Sequence, residues 1–155
     1  MARRCNQLVD IVAGFKSLPL DYMKFIWRQR LGPDHCPYIE RWVFETKLFS
    51  IRLHHWFKSD DLRHPHDHAW NFVTIVLKGT ITDRAYGKDD FRKRFSIRRY
   101  SAEHQHSVVV DKPAWTLLFT GPEIRTWGFW VNGKFRKRNK YFFEHGEHDP
   151  CGLET

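Results

Sequence analysis

From residue 38 onward, apolar and polar positions alternate with period two, in runs rich in aromatic and β-branched side chains. The segments 38–46, 48–58, 66–78, 80–86, 91–99, 106–110, 115–120 and 124–131 read as strands, with turns at Gly79 and over 87–90. Asn132-Gly133 is a two-residue hairpin signal, because both central positions of that turn need positive φ, and 134–143 is the expected returning strand. About eight or nine short antiparallel strands predict a barrel or jelly roll. Ahead of them the period changes. Segments 5–15 and 21–31 are helix candidates, the second because Tyr22, Phe25, Ile26 and Gln29 recur at helical spacing before Gly32-Pro33-Asp34. The expectation is one domain over 1–155: an N-terminal helical segment about 1–34, then a barrel about 38–143.

Composition supports a packed sheet protein. Of the 155 residues, 41% are hydrophobic and 16% aromatic, enough for a core of large, stiff rings. The formal charge of +8 favours acidic partners, namely a nucleotide, another small anion or nucleic acid. Two basic runs, 92–99 and 134–140, are flanked by Phe91, Phe95, Tyr100 and Tyr141, which suit stacking on bases. The alternative is a charged edge that keeps strands of different molecules from pairing. Cys5, Cys36 and Cys151 are odd in number and unpaired in spacing, which argues against a disulfide framework and for a reducing compartment. His145, His148 and Cys151 lack a fourth ligand for a closed zinc site. No run approaches the ~20 apolar residues of a membrane span. The expectation is a cytoplasmic protein with no membrane association, pairing through strands into a homodimer being compatible with such a barrel.

The histidines are clustered. His64, His66 and His68 share one strand parity, and His104 and His106 another. Residues two apart on an extended strand point the same way, so His66 and His68 can aim two imidazoles into one cavity. His106, from a later strand, completes a facial set with open positions. Such a set suits a divalent transition metal, Fe, Mn, Ni or Zn, without choosing among them. His64 and His104 stand as alternate ligands or as supports behind the ligands. Asp67 points to the opposite face.

These residues resemble the cupin superfamily. Its first motif is His-x-His, three or four residues, Glu, six residues, Gly; here His66, His68, Phe72 and Gly79 occupy those places, Phe72 standing where the family has Glu. In its second motif, Pro-x-Gly-x-x-His-x-x-x-Asn, His106 matches, while Ser101, Glu103 and Val110 replace Pro, Gly and Asn. The resemblance spans about 52–131 and implies a mainly β cupin-type antiparallel barrel. With Phe72 the implied metal set is three histidines without a carboxylate, as in the thiol dioxygenases. Their other landmarks are missing: the cysteine that joins a tyrosine would fall near Val73, and their downstream His and Tyr have no counterparts. The block from His64 to Trp130 also looks like small cupins of bacteriophage genomes, which would place the protein in a host cytoplasm.

Arg125 and Trp127 share a face on the expected strand 124–131, where Arg125 would bind a carboxylate or phosphate and Trp127 would wall the site. The other reading is a surface arginine beside core aromatics. Arg52 and His54 share a face too, but the apolar Ile51 and Leu53 argue for theirs as the outer one. The implied function is a metal-dependent cupin enzyme acting on a small anionic substrate, an oxygenase ahead of an isomerase or lyase. The alternative is a non-catalytic nucleotide or nucleic-acid binding protein of phage origin. The catalytic residues themselves are not identified by the pattern.

Overall fold

The computed structural model describes residues 23–152. The helix expected over 5–15 lies outside them. Eleven strands and one helix follow in order: β1 (Lys24–Leu31), β2 (Ile39–Glu45), β3 (Ser50–Trp56), β4 (Phe72–Lys78), β5 (Ile81–Ala85), β6 (Lys88–Arg92), β7 (Ile97–Tyr100), β8 (Ser107–Val109), β9 (Ala114–Thr120), β10 (Gly128–Val131), β11 (Lys134–Lys137) and α1 (Arg138–His145).

Six strands form one antiparallel sheet in the order β1-β2-β3-β9-β4-β7, and β6-β5-β8 and β10-β11 form smaller ones. A single residue joins the smaller sheets. His66 bridges His106 on one side and Phe129 on the other, so its backbone fills the gap between β8 and β10. Ile39, Trp56, Val76 and Ala114 of the large sheet pack against Ile81, Val108 and Val110. This two-layered antiparallel arrangement is the expected jelly roll.

Three sequence expectations are corrected. Residues 24–31 are an edge strand, not a helix: they pair with β2 from Lys24↔Glu45 to Leu31↔Ile39. An extra residue between Ile26 and Gln29 shifts the register there, which breaks the alternation and imitates helical spacing. The returning strand of the Asn132-Gly133 hairpin stops at Lys137, and 138–145 is helical, burying Tyr141 beneath it. Thirdly, Cys36 and Cys151 form a disulfide, with their Cα atoms 6.0 Å apart, so the cysteine count no longer argues for a reducing compartment. Among the described residues, no helix is long and apolar enough to cross a membrane.

Glycine is required at two places that shape the site. Gly79 has φ 77°, and a Cβ there would lie 2.9 Å from the Pro113 carbonyl oxygen, so the turn after β4 excludes a side chain. At Gly128 the limit is space, since a Cβ would sit 2.1 Å from the Arg136 carbonyl oxygen across the hairpin. Gly128→Ala should therefore cost about 3 kcal/mol, at the upper end for overpacking. Gly121→Ala, whose added Cβ would meet nothing closer than 3.8 Å, should be near neutral. Equal denaturation midpoints for the two variants would contradict this account of the hairpin.

Candidate metal centre

His66, His68 and His106 converge as expected. One ligand nitrogen from each lies within 4.8 Å of the others. His68 Nε2 and His106 Nε2 are 2.9 Å apart. Two nitrogens at right angles on one ion, each bound at ~2.0–2.1 Å, would be separated by ~2.9 Å. The donors thus fit a transition ion, and the residues around them fit neutral ligands. Burial, then the neighbouring His106, pushes His66 down to about 3. Burial also lowers His68 and His106, so all three rings are uncharged near neutral pH, as ligation requires.

Carboxylates stand behind two of the rings. Asp83, inward on β5, has Oδ1 at 3.0 Å from His106 Nδ1. Its Oδ2 accepts from Tyr100 Oη at 2.5 Å and from Arg92 at 3.2 Å, with His104 Nε2 also at 3.2 Å. Burial alone would raise the Asp83 carboxyl, but the hydrogen bonds from His104 and His106 outweigh it and hold the group well below its usual range. An anionic Asp83 keeps the proton of His106 on Nδ1 and leaves Nε2 free to ligate. Asp60 lies behind His66, with Oδ2 3.6 Å from Nδ1. Both Asp60 carboxylate oxygens are buried with no hydrogen-bond partner among the described residues, and burial pushes this carboxyl up.

The other predicted residues separate by role. His104 sits behind Asp83, and Asp83, His104 and His106 themselves form a second converging set. His64 turns away, with Nδ1 3.1 Å from the Tyr141 hydroxyl. Trp127 lines the cavity in front of the triad, but Arg125 does not. Residues 124–127 precede β10, so strand parity does not hold there, and Arg125 donates to Asp67 Oδ2 at 2.6 Å. Phe72, at the family's Glu place, packs its ring edge against His68 with centroids 4.5 Å apart.

Sequence reasoning missed Asp83, Asp60 and Tyr100. The signal for Asp83 was its parity with Ile81 in an alternating strand, an acid at a core position. The face carrying Arg52, His54 and Trp56 is the inner one, against expectation; all three line a cavity of about 420 Å³ together with the triad, Trp70, Phe72 and Trp127. Of the basic runs, Arg92 is buried against Asp83 and Asp90, and Arg138 faces the cavity. Lys93, Arg94, Arg98, Arg99 and Lys140 remain exposed.

Several solved structures are similar to this chain in fold. KdgF from Halomonas sp. is 15% identical with a TM-score of 0.52, covering 63% of this chain and 88% of that one. A sugar phosphate isomerase from a cupin superfamily, from Silicibacter pomeroyi, is 13% identical with a TM-score of 0.52, covering 72% and 80%. HppE in its FeII form is 14% identical with a TM-score of 0.52, covering 65% and 57%. No protein-family model and no curated protein matches the sequence. The chain has the cupin fold.

Two predictions follow from the site. Asp83→Asn should weaken metal binding about 10–100-fold, as for other carboxylates behind ligand histidines, while leaving a folded barrel. Unchanged affinity in a metal titration would remove Asp83 from this role. The second concerns acid. His54 and His66, each held at about 3, are protonated more readily in the unfolded chain, whose imidazoles titrate near 6.5. Between these values the unfolded state binds more protons, so stability falls as pH drops below about 6.5. Asp60, raised on folding, acts in the opposite sense, but it is one group against four imidazoles that folding lowers. The melting temperature of metal-free protein should fall steadily from pH 7 to pH 4; a flat or rising profile would contradict the neutral-imidazole assignment.

Proposed function

We propose that this protein is a metal-dependent enzyme of cupin fold, acting on a small anionic substrate. The observation that carries this reading is the convergence of three uncharged imidazoles, two of them 2.9 Å apart, on a cavity large enough for a small molecule. A divalent ion held by His66, His68 and His106 supplies Lewis acidity or, if it is iron, activation of dioxygen. Oxygenase chemistry is favoured because a set of neutral ligands with open positions suits Fe(II). Asp83 orients His106 and holds its Nδ1 proton. Trp70, Phe72 and Trp127 exclude water from the face of the triad.

An anionic substrate is supported by the cations on the cavity wall, Arg41, Arg52 and Arg138. The sugar phosphate isomerase of similar fold acts, by its name, on a small anion of this kind. A second reading, nucleotide or nucleic-acid binding, is favoured by exposed Arg94 stacked 4.4 Å from the exposed Phe95 ring centre. The two readings separate in one preparation. Protein purified without oxygen should carry about one equivalent of a transition metal, and His66→Ala and His106→Ala should each lose it. No stoichiometric metal, together with salt-sensitive binding of single-stranded nucleic acid, would replace the enzyme reading with the second one.

A further inference from the structure

The wall of the cavity that faces the triad has a chemistry of its own. Cross-strand register places Gln29 of β1 beside Arg41 of β2, Arg41 beside His54 of β3, and His54 beside Thr116 of β9. Arg52 precedes His54 by two residues on β3 and so shares its face. Gln29, Arg41, Arg52, His54 and Thr116 all line the cavity. They come from the large sheet, whereas the metal set hangs from the 66–68 segment and the entry to β8.

Apart from one bond between Arg41 and Gln29, these groups are not paired off with one another among the described residues. Arg41 makes one hydrogen bond, Nε to Gln29 Oε1 at 2.8 Å, and its terminal nitrogens donate to no described residue. Arg52 gives Nε to Ser50 at 2.8 Å and one terminal nitrogen to the more exposed Glu45 at 3.2 Å. Its guanidinium lies 4.8 Å over the Trp70 ring. His54 is buried, and neither ring nitrogen has a hydrogen-bond partner among the described residues. A buried polar ring with no described partner, beside two arginines, suits a ligand that brings a hydrogen-bond acceptor.

We infer that Gln29, Arg41, Arg52 and His54 form an oxyanion subsite that holds the carboxylate or phosphate end of the substrate. This rests on the reading of the cavity as a substrate site. An oxyanion there accepts from the terminal Arg41 nitrogens, from Arg52 and from the His54 N–H. The charge balance of the wall agrees. Burial, and then the Arg52 charge, pushes Arg41 down to about 10, while burial followed by Arg41 and Arg52 keeps His54 neutral. An anion relieves both effects. Glu45 and Glu123 temper the field at Arg52 without reaching Arg41 or His54 by hydrogen bonds.

The test uses inorganic phosphate and malonate as probes, with the full chain in metal-loaded form and as His66→Ala. One equivalent of phosphate or malonate should bind in calorimetry and raise the melting temperature, the tighter probe identifying the substrate's anionic end. Arg41→Met and His54→Phe should weaken that binding at least tenfold, and Arg41→Lys should restore part of it. Metal uptake by the same variants should be unchanged, which also shows that they fold. Neither probe binding to wild-type protein, or binding indifferent to Arg41 and His54, would overturn the subsite. Arg41-dependent binding in a protein that retains no metal would keep the subsite and reject the metal-enzyme reading; metal retention without anion binding would do the reverse.

Discussion

The site depends on a carboxylate that never touches it. Asp67 is 0% exposed and accepts from Gly128 N at 2.8 Å, Trp130 Nε1 at 3.0 Å and Arg125 at 2.6 Å. Removing these donors would leave a buried charge unpaired, at a cost of several kcal/mol. Because Asp67 is fixed on one face of an extended segment, His66 and His68 are fixed on the other. The backbone repeats the constraint: His66 exchanges two hydrogen bonds with His106, Asp67 N donates to Gly128 O, and His68 N donates to Ala102 O. The segment that bridges the two smaller sheets through His66 is thus held at three successive residues, and it aims two imidazoles at a third.

The parts of this arrangement legible in the sequence were those with local signatures. His66-Asp67-His68 carried its parity in three letters, and the hairpin at Asn132-Gly133 is present with φ 49° and 73°. Gly79 was legible through its distance from His66, and the structure adds the reason, its close approach to the 113–114 backbone. What was hidden needed pairings distant along the chain. β1 imitates a helix because of its bulge, and its arginines Arg28 and Arg30 make sense only beside Glu40 of β2. The inward face of β3 was misread because Ile51 and Leu53 lie on the outer side of the large sheet, where Trp42, His55 and Trp115 stack. An apolar outer face cannot be told from a core face by alternation alone. Arg125 was misplaced for a different reason: its segment is not a strand, so counting by twos fails there.

Phe72 changes the electrostatics as well as the ligand count. In place of a carboxylate within bonding reach, the site has an apolar ring against His68, and its negative charge is moved behind the imidazoles to Asp83. An ion in this setting keeps more of its charge facing the cavity than one neutralised by a bound carboxylate. The guanidinium groups across the cavity add to the same sign of field. With such an ion bound, both walls would carry positive charge, with aromatic side chains between them.

The bond between Cys36 and Cys151 gives the molecule one more property. It joins two residues 115 positions apart and so closes a covalent ring threaded through every strand from β2 to β11 and through α1. The cavity walls contributed by His148 and Phe142, near one end of this ring, are tied to the loop before β2 at the other. A single backbone cut anywhere within the ring leaves one molecule rather than two fragments. The chain that lines the cavity behaves topologically as a circle, with β1 as its only described strand outside.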